Sequence, residues 1–301
     1  MKLATTTADF NGYVDTYEEK VKLICDAGFK YIDIDFSNID VFMENNWEDK
    51  AKKLNEYAKS LGAKFVQAHS PCSANPVVYD EKREPFIEET KRSFEVCKIL
   101  GIENMVVHNG SVRGMDKKTF FEENEKFSHE LFPIMEKTGV NMCIENSTVI
   151  NMAERYFFFD GCDMREFIEK LNHPLLKACW DTGHANIENH HYKDIMDLGN
   201  YLTTIHVHDN NGRNDEHMMP YTGTMNFDEL MCGLIDSGYK GYFTLEATLS
   251  LMNIKTHMRS RRVFEKDTRL YRTPLALKFE AEKFLYKAGE YILKAYDVFD
   301  K

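Results

Sequence analysis

A chain of 301 residues, 43% of them hydrophobic, can bury a large core and suits either two ordinary domains or one α/β barrel. Its 38 basic and 49 acidic side chains leave a net charge of −11 at pH 7, which repels phosphate backbones and argues against a nucleic-acid partner. No apolar run reaches the ~20 residues of a membrane span and the amino terminus lacks a signal-like apolar region. The seven cysteines are scattered without C-x-x-C spacing, as reduced thiols are, so a cytoplasmic protein with no membrane contact is expected.

Short apolar runs alternate with longer amphipathic segments from end to end, the pattern of βα units on a parallel sheet. Strands are expected over Lys2–Thr6, Tyr31–Asp35, Lys64–His69, Asn104–His108, Asn141–Glu145, Lys177–Asp181, Thr203–His208 and Tyr242–Glu246. Helices are expected between them, over Thr16–Ala27, Trp47–Leu61, Pro85–Leu100, Lys117–Lys137, Asp163–Leu171, Tyr192–Gly199 and Phe227–Ser237. Gly28, Gly62, Gly101, Gly139 and Gly238 sit where helices end, a repeated C-cap signal. With no interior linker rich in Pro, Gly or Ser, the chain is expected to form one α/β domain over 1–301, a (β/α)8 TIM barrel, with an extra C-terminal helix over Leu275–Val298.

Read toward their C-terminal ends, six strands finish in a potential ligand: His69, His108, Glu145, Asp181, His208 and Glu246. Each lies in phase with the barrel interior if the apolar neighbours, Val66 and Ala68, Met105 and Val107, Met142 and Ile144, Ala178 and Trp180, Ile205 and Val207, Phe243 and Leu245, face the helices. In a barrel these ends form one ring at the catalytic face, and His184, Asp215 and His217 follow on loops. Singly, a buried histidine is more often a satisfied core residue, a glutamate an arginine partner and Asp181 a turn cap. Together, several buried carboxylates without a cation would have to take up protons, at several kcal/mol each. A divalent ion is therefore expected; mixed carboxylate and imidazole donors suit Zn, Mn, Co or Fe. Between His206 and His208, His208 is the expected ligand, since it ends the expected strand while His206 would sit one layer deeper.

The pieces Gln67-Ala68-His69-Ser70-Pro71, Val107-His108-Asn109-Gly110, Ile144-Glu145-Asn146-Ser147, Asp181-Thr182-Gly183-His184-Ala185, His206-Val207-His208-Asp209-Asn210, Asp215-Glu216-His217 and Thr244-Leu245-Glu246 resemble, in combination and order, the xylose-isomerase-like barrel superfamily. That group includes sugar phosphate isomerases and epimerases and the apurinic endonucleases of the trinuclear zinc type. Resemblance to ketose epimerases and inosose isomerases implies one ion held by Glu145, Asp181, His208 and Glu246, with His184 and Arg213 on substrate hydroxyls. Resemblance to the endonucleases implies His69, His108 and Glu145 at one ion, Asp181, His184 and His208 at a second, Asp215 and His217 at a third, and Glu246 bridging. The loop Met218–Gly223 departs from the Pro-Gly-Glu-Gly of many relatives.

The function this implies is a metal-dependent sugar or sugar-phosphate isomerase or epimerase, with Glu145 and Glu246 moving a proton beside a metal-bound carbonyl. The alternatives are a phosphodiester hydrolase like the endonucleases and a barrel that binds sugars without turnover. The partner is then a small sugar, and a homo-oligomer is possible. The aromatic run in the loop Arg155–Phe159 reads as a lid, a subunit contact or packing on the barrel's own helices, and Arg259-Ser260-Arg261-Arg262 as a solvated face or a phosphate contact. No G-x-G-x-x-G, P-loop or H-E-x-x-H pattern supports a nucleotide cofactor or a zincin.

Overall fold

The computed structural model describes residues 1–151, 156–251 and 273–300. Eight parallel strands, β1 (Lys2–Thr6), β2 (Tyr31–Asp35), β3 (Lys64–His69), β4 (Asn104–Val107), β5 (Asn141–Glu145), β6 (Leu176–Asp181), β7 (Leu202–His206) and β8 (Tyr242–Leu245), pair in the order β7-β6-β5-β4-β3-β2-β1-β8. A parallel bridge between Val207 and Leu245 brings β7 to β8, so the sheet curls into the expected barrel. The helices are α1 (Tyr17–Ala27), α2 (Asp40–Met43), α3 (Trp47–Ser60), α4 (Arg83–Leu100), α5 (Lys117–Thr138), α6 (Gly161–Leu171), α7 (Thr182–Glu188), α8 (Tyr192–Leu198), α9 (Phe227–Asp236) and α10 (Leu275–Ala295). The additional C-terminal helix is thus present, and it stops at Ala295 rather than Val298. Among the described residues no helix is long and apolar enough to cross a membrane.

Local chemistry explains the element starts. Thr16 and Glu19 form a reciprocal capping box at α1, and Gly28 ends that helix at φ 120°, a conformation open to glycine, with the Tyr286 ring 3.3 Å from where a Cβ would stand. The helices α2 and α7 are too short to show a 3.6-residue period and escape sequence reading. Helix α7 exists because the Asp181 carboxylate accepts the His184 backbone N–H at 2.7 Å, capping the turn where β6 ends.

Alternating strand residues separate two environments. Phe65, Ala68, Met105, Val107, Met142, Ile144, Ala178, Trp180, Ile205, Val207, Phe243 and Leu245 join one large core under the helices. Val106, Cys143 and Cys179, from the alternate positions, form a second, interior cluster. Val66 does not face the helices as expected. A register shift between β2 and β3 pairs Ile32 with Phe65 and Asp33 with Gln67, which leaves Val66 as the extra residue and hands its place to Phe65. In the aromatic run, Tyr156 and Phe158 are buried, and their rings pack with Phe120 of α5 at 5.3 and 4.8 Å, as the reading of packing on the barrel's own helices expects. The basic run Arg259–Arg262 lies outside the described residues.

Candidate metal centre

The ring of polar strand ends is present, but its members group differently from the sequence expectation. Glu145 closes β5, is 2% exposed, and reaches two histidines: Oε2 lies 2.6 Å from His108 Nε2 and Oε1 lies 2.5 Å from His206 Nδ1. His108, the first residue beyond β4, is 3.1 Å from His69 at the end of β3, Nε2 to Nε2, so His69, His108 and Glu145 form one ligand-competent group. The second is Glu145, Asp181, His206 and Glu246, whose donor atoms all fall within 4.8 Å of one another. Glu246 follows β8 directly, and its Oε2 is 3.4 Å from His206 Nδ1. A third group joins His184, Asp215 and His217, with Asp215 Oδ2 3.2 Å from His184 Nε2 and Asp215 Oδ1 3.2 Å from His217 Nε2.

Two expectations are corrected by this geometry. His206, not His208, completes the quartet with Glu145, Asp181 and Glu246, because β7 ends at His206 and pairs it with Asp181; it lies level with that carboxylate, not a layer deeper. His208 instead lies 3.1 Å from both Asp181 oxygens and stacks on His217 at 3.9 Å between centroids, offering a further group with His217 and Glu246. His184 belongs with Asp215 and His217, its Nδ1 being taken by the Asn146 carbonyl at 2.9 Å. Glu145 links the first group to the quartet, and Glu246, the expected bridge, is itself shared between the quartet and the group of His208 and His217. Arg213 is exposed in the turn ahead of Asp215.

The surroundings hold these donors rigidly. Asn146 donates to the Asp181 carbonyl at 2.8 Å and accepts the Asp181 N–H at 2.6 Å. A Cβ on Gly183 would come within 1.9 Å of the His208 ring, so only glycine admits that imidazole. Asn151 donates to Asp215 Oδ2 at 2.8 Å, and His217 Nδ1 to the Glu246 carbonyl at 3.0 Å.

Whether the donors fit a cation is answered by their electrostatics. Burial pushes Glu246 up to about 8; His206 and His217 oppose the rise, and Glu145 and Asp181 add to it. Burial alone would raise Glu145 too, yet His206 and His108 hold it well below the usual carboxylate range. Burial disfavours charge on His217, but Asp215 raises it to about 10, and His206 and His184 are likewise raised by neighbouring acids, together with Cys179 for His206. Positive charge on the imidazoles thus answers the clustered carboxylates Glu145, Asp181, Asp215 and Glu246, while His206 Nε2 and His208 Nδ1 are buried without a hydrogen-bond partner. Carboxylate and imidazole donors of this number fit a divalent ion.

Comparison with known proteins identifies the family. Residues 21–265 match the family model described as xylose isomerase-like TIM barrel. The chain is 22% identical over 242 residues to D-psicose 3-epimerase of Ruminiclostridium cellulolyticum, covering 76% of this chain and 78% of the relative. Among solved structures, D-psicose 3-epimerase with D-tagatose from Clostridium cellulolyticum H10 superposes with a TM-score of 0.75 at 18% identity over 97% of this chain and 99% of that one. The IOLI protein with a bound zinc atom gives a TM-score of 0.75 at 18% identity over 98% and 99%. With the family model spanning most of its length, the chain belongs to the xylose isomerase-like TIM barrel family.

Proposed function

We propose that this protein is a divalent-metal-dependent sugar isomerase or epimerase that moves a proton at the carbon beside a carbonyl. The observation that carries the reading is the pair of carboxylates at the ends of β5 and β8, Glu145 and Glu246, both close to His206 Nδ1 at 2.5 and 3.4 Å. Glu145, Asp181, His206 and Glu246 would hold the ion. Bound there, it would supply Lewis acidity toward a substrate carbonyl and its neighbouring hydroxyl.

Glu145 and Glu246 then serve as the groups that take and return the substrate proton, one from each face of a sugar lying between strands five and eight of the ring. His184, at the buried start of α7, and Arg213, in the exposed turn, would then touch substrate hydroxyls. The likeness to a D-psicose 3-epimerase supports this substrate class. Incubating metal-loaded protein with a panel of ketoses and inososes in D₂O is expected to place deuterium at the carbon next to the carbonyl. Absence of exchange with every member of the panel overturns the proposal.

A second reading, phosphodiester hydrolysis, is favoured by one observation: Glu145 is shared by two ligand groups and His184, Asp215 and His217 form a third beside them. It requires more than one ion per chain, and the surface charge of −11 opposes a nucleic-acid substrate.

A further inference from the structure

Helix α10 packs one face against α1, β1 and β8, burying Ala281, Leu285, Ala288, Ile292 and Leu293. The flank bordering that face carries Leu277, Phe284 and Tyr291 at 54%, 54% and 67% exposure. These three recur every seven residues and so line up along one side of the helix, about 10 Å apart. Glu280 and Lys287, both exposed, stand between them. Tyr221, 57% exposed on the loop after β7, has its ring 6.4 Å from that of Tyr291 and widens the apolar end of the stripe.

Along the helix the stripe reads Leu, Glu, Phe, Lys, Tyr, and reversed it is its own complement. If two copies lie antiparallel with Phe284 on the twofold axis, Leu277 meets Tyr291 of the other copy, Glu280 meets Lys287, and the two Phe284 rings meet each other. A parallel pairing would set Glu280 on Glu280 and Lys287 on Lys287, and like charges reject it. The Glu280 contact to Lys283 at 2.8 Å within the helix is an exposed pair of small worth and does not compete strongly. An isologous contact of this kind satisfies the same patch on both partners and closes the assembly at two.

We infer that α10 is the seam of a twofold dimer, a second copy of this chain covering the Leu277–Phe284–Tyr291 stripe antiparallel, with Glu280 paired to Lys287 across it. Sedimentation velocity on the full chain is expected to show a dimer in the micromolar range. F284E, which sets two carboxylates on the axis, is expected to give monomer with an unchanged far-ultraviolet spectrum. E280K and K287E each turn two attractive pairs repulsive and are expected to weaken the dimer roughly tenfold, while the double variant E280K/K287E returns to within about twofold of the parent. A chain that stays monomeric through that range, or a dimer that F284E leaves intact, overturns the interface; a double variant as weak as the singles overturns the antiparallel register.

Discussion

His206 and His208 show how far a single residue's role can be read before folding is known. Both share a strand face by alternation, and nothing local ranks them. The ranking is set by the bulge where Ala178 pairs with Leu202 and Cys179 with Thr204, which carries His206 to the level of Asp181. Asp33 is a second residue whose environment only the barrel creates. It is fully buried, and neither carboxylate oxygen has a hydrogen-bond partner. Burial pushes it up to about 7, with Asp35 and Glu145 adding to the rise against His206 and Thr6. Because its folded pKa lies above the unfolded value near 3.9, the folded state binds the extra proton and stability falls as pH rises from about 4 through 7. At about 1.4 kcal/mol per unit this amounts to something on the order of 4 kcal/mol. Urea unfolding of chelator-treated D33N is expected to show that slope largely removed and higher stability than the parent at pH 8; an unchanged slope assigns it to other groups.

At the scale of elements, most strands and long helices were legible because burial on both faces makes strands continuous apolar runs and glycine marks helix ends. What escaped was set by contacts distant in sequence: the bulge at Val66, the Asp181-capped α7, and the anchoring of α10 to the catalytic face. That anchor is Lys278, 1% exposed, whose Nζ donates to the carbonyls of Thr248 and Ser250 at 3.4 and 3.2 Å. Asp9 and Glu282 are buried beside it; burial raises Asp9 while Lys278 opposes, and burial with Asp9 raises Glu282 well above the usual range. The same segment returns to the site, since the Leu249 N–H donates to the His217 carbonyl at 3.2 Å. Lys278→Met leaves buried acid uncompensated and frees the chain after Glu246. It is expected to cost about 3–5 kcal/mol in chemical denaturation and to lower bound metal, with Lys278→Arg recovering part of both. Full metal content in a destabilised K278M would confine the lysine to a packing role.

At the scale of the whole molecule, the ring of six potential ligands near strand ends was legible because a closed barrel must bring all C-terminal strand ends together, whatever the loops do. The partition of those ligands was not, because it depends on the stagger between strands and on where the loop after β7 folds back, at the antiparallel bridge between Asp209 and Met218 that returns Asp215 and His217 to the ring. Partition decides chemistry here. Proton transfer beside a carbonyl needs the one ion of the Glu145, Asp181, His206 and Glu246 quartet, whereas in-line displacement at phosphorus draws on two or more. The quartet has four donors with three carboxylates, and its neighbour of His69, His108 and Glu145 must borrow the same glutamate, so filling both sites splits Glu145 between them. Electrostatics therefore favour the quartet for the tightest ion. Elemental analysis of the purified chain is expected to give one ion per polypeptide, lost in His206→Ala and in Asp181→Asn but kept in His108→Ala. Retention in H206A would move the ion to the His208 group and return that histidine to the role first expected of it. Three ions in the parent, one of them dropping out in H108A, would favour hydrolysis over proton transfer.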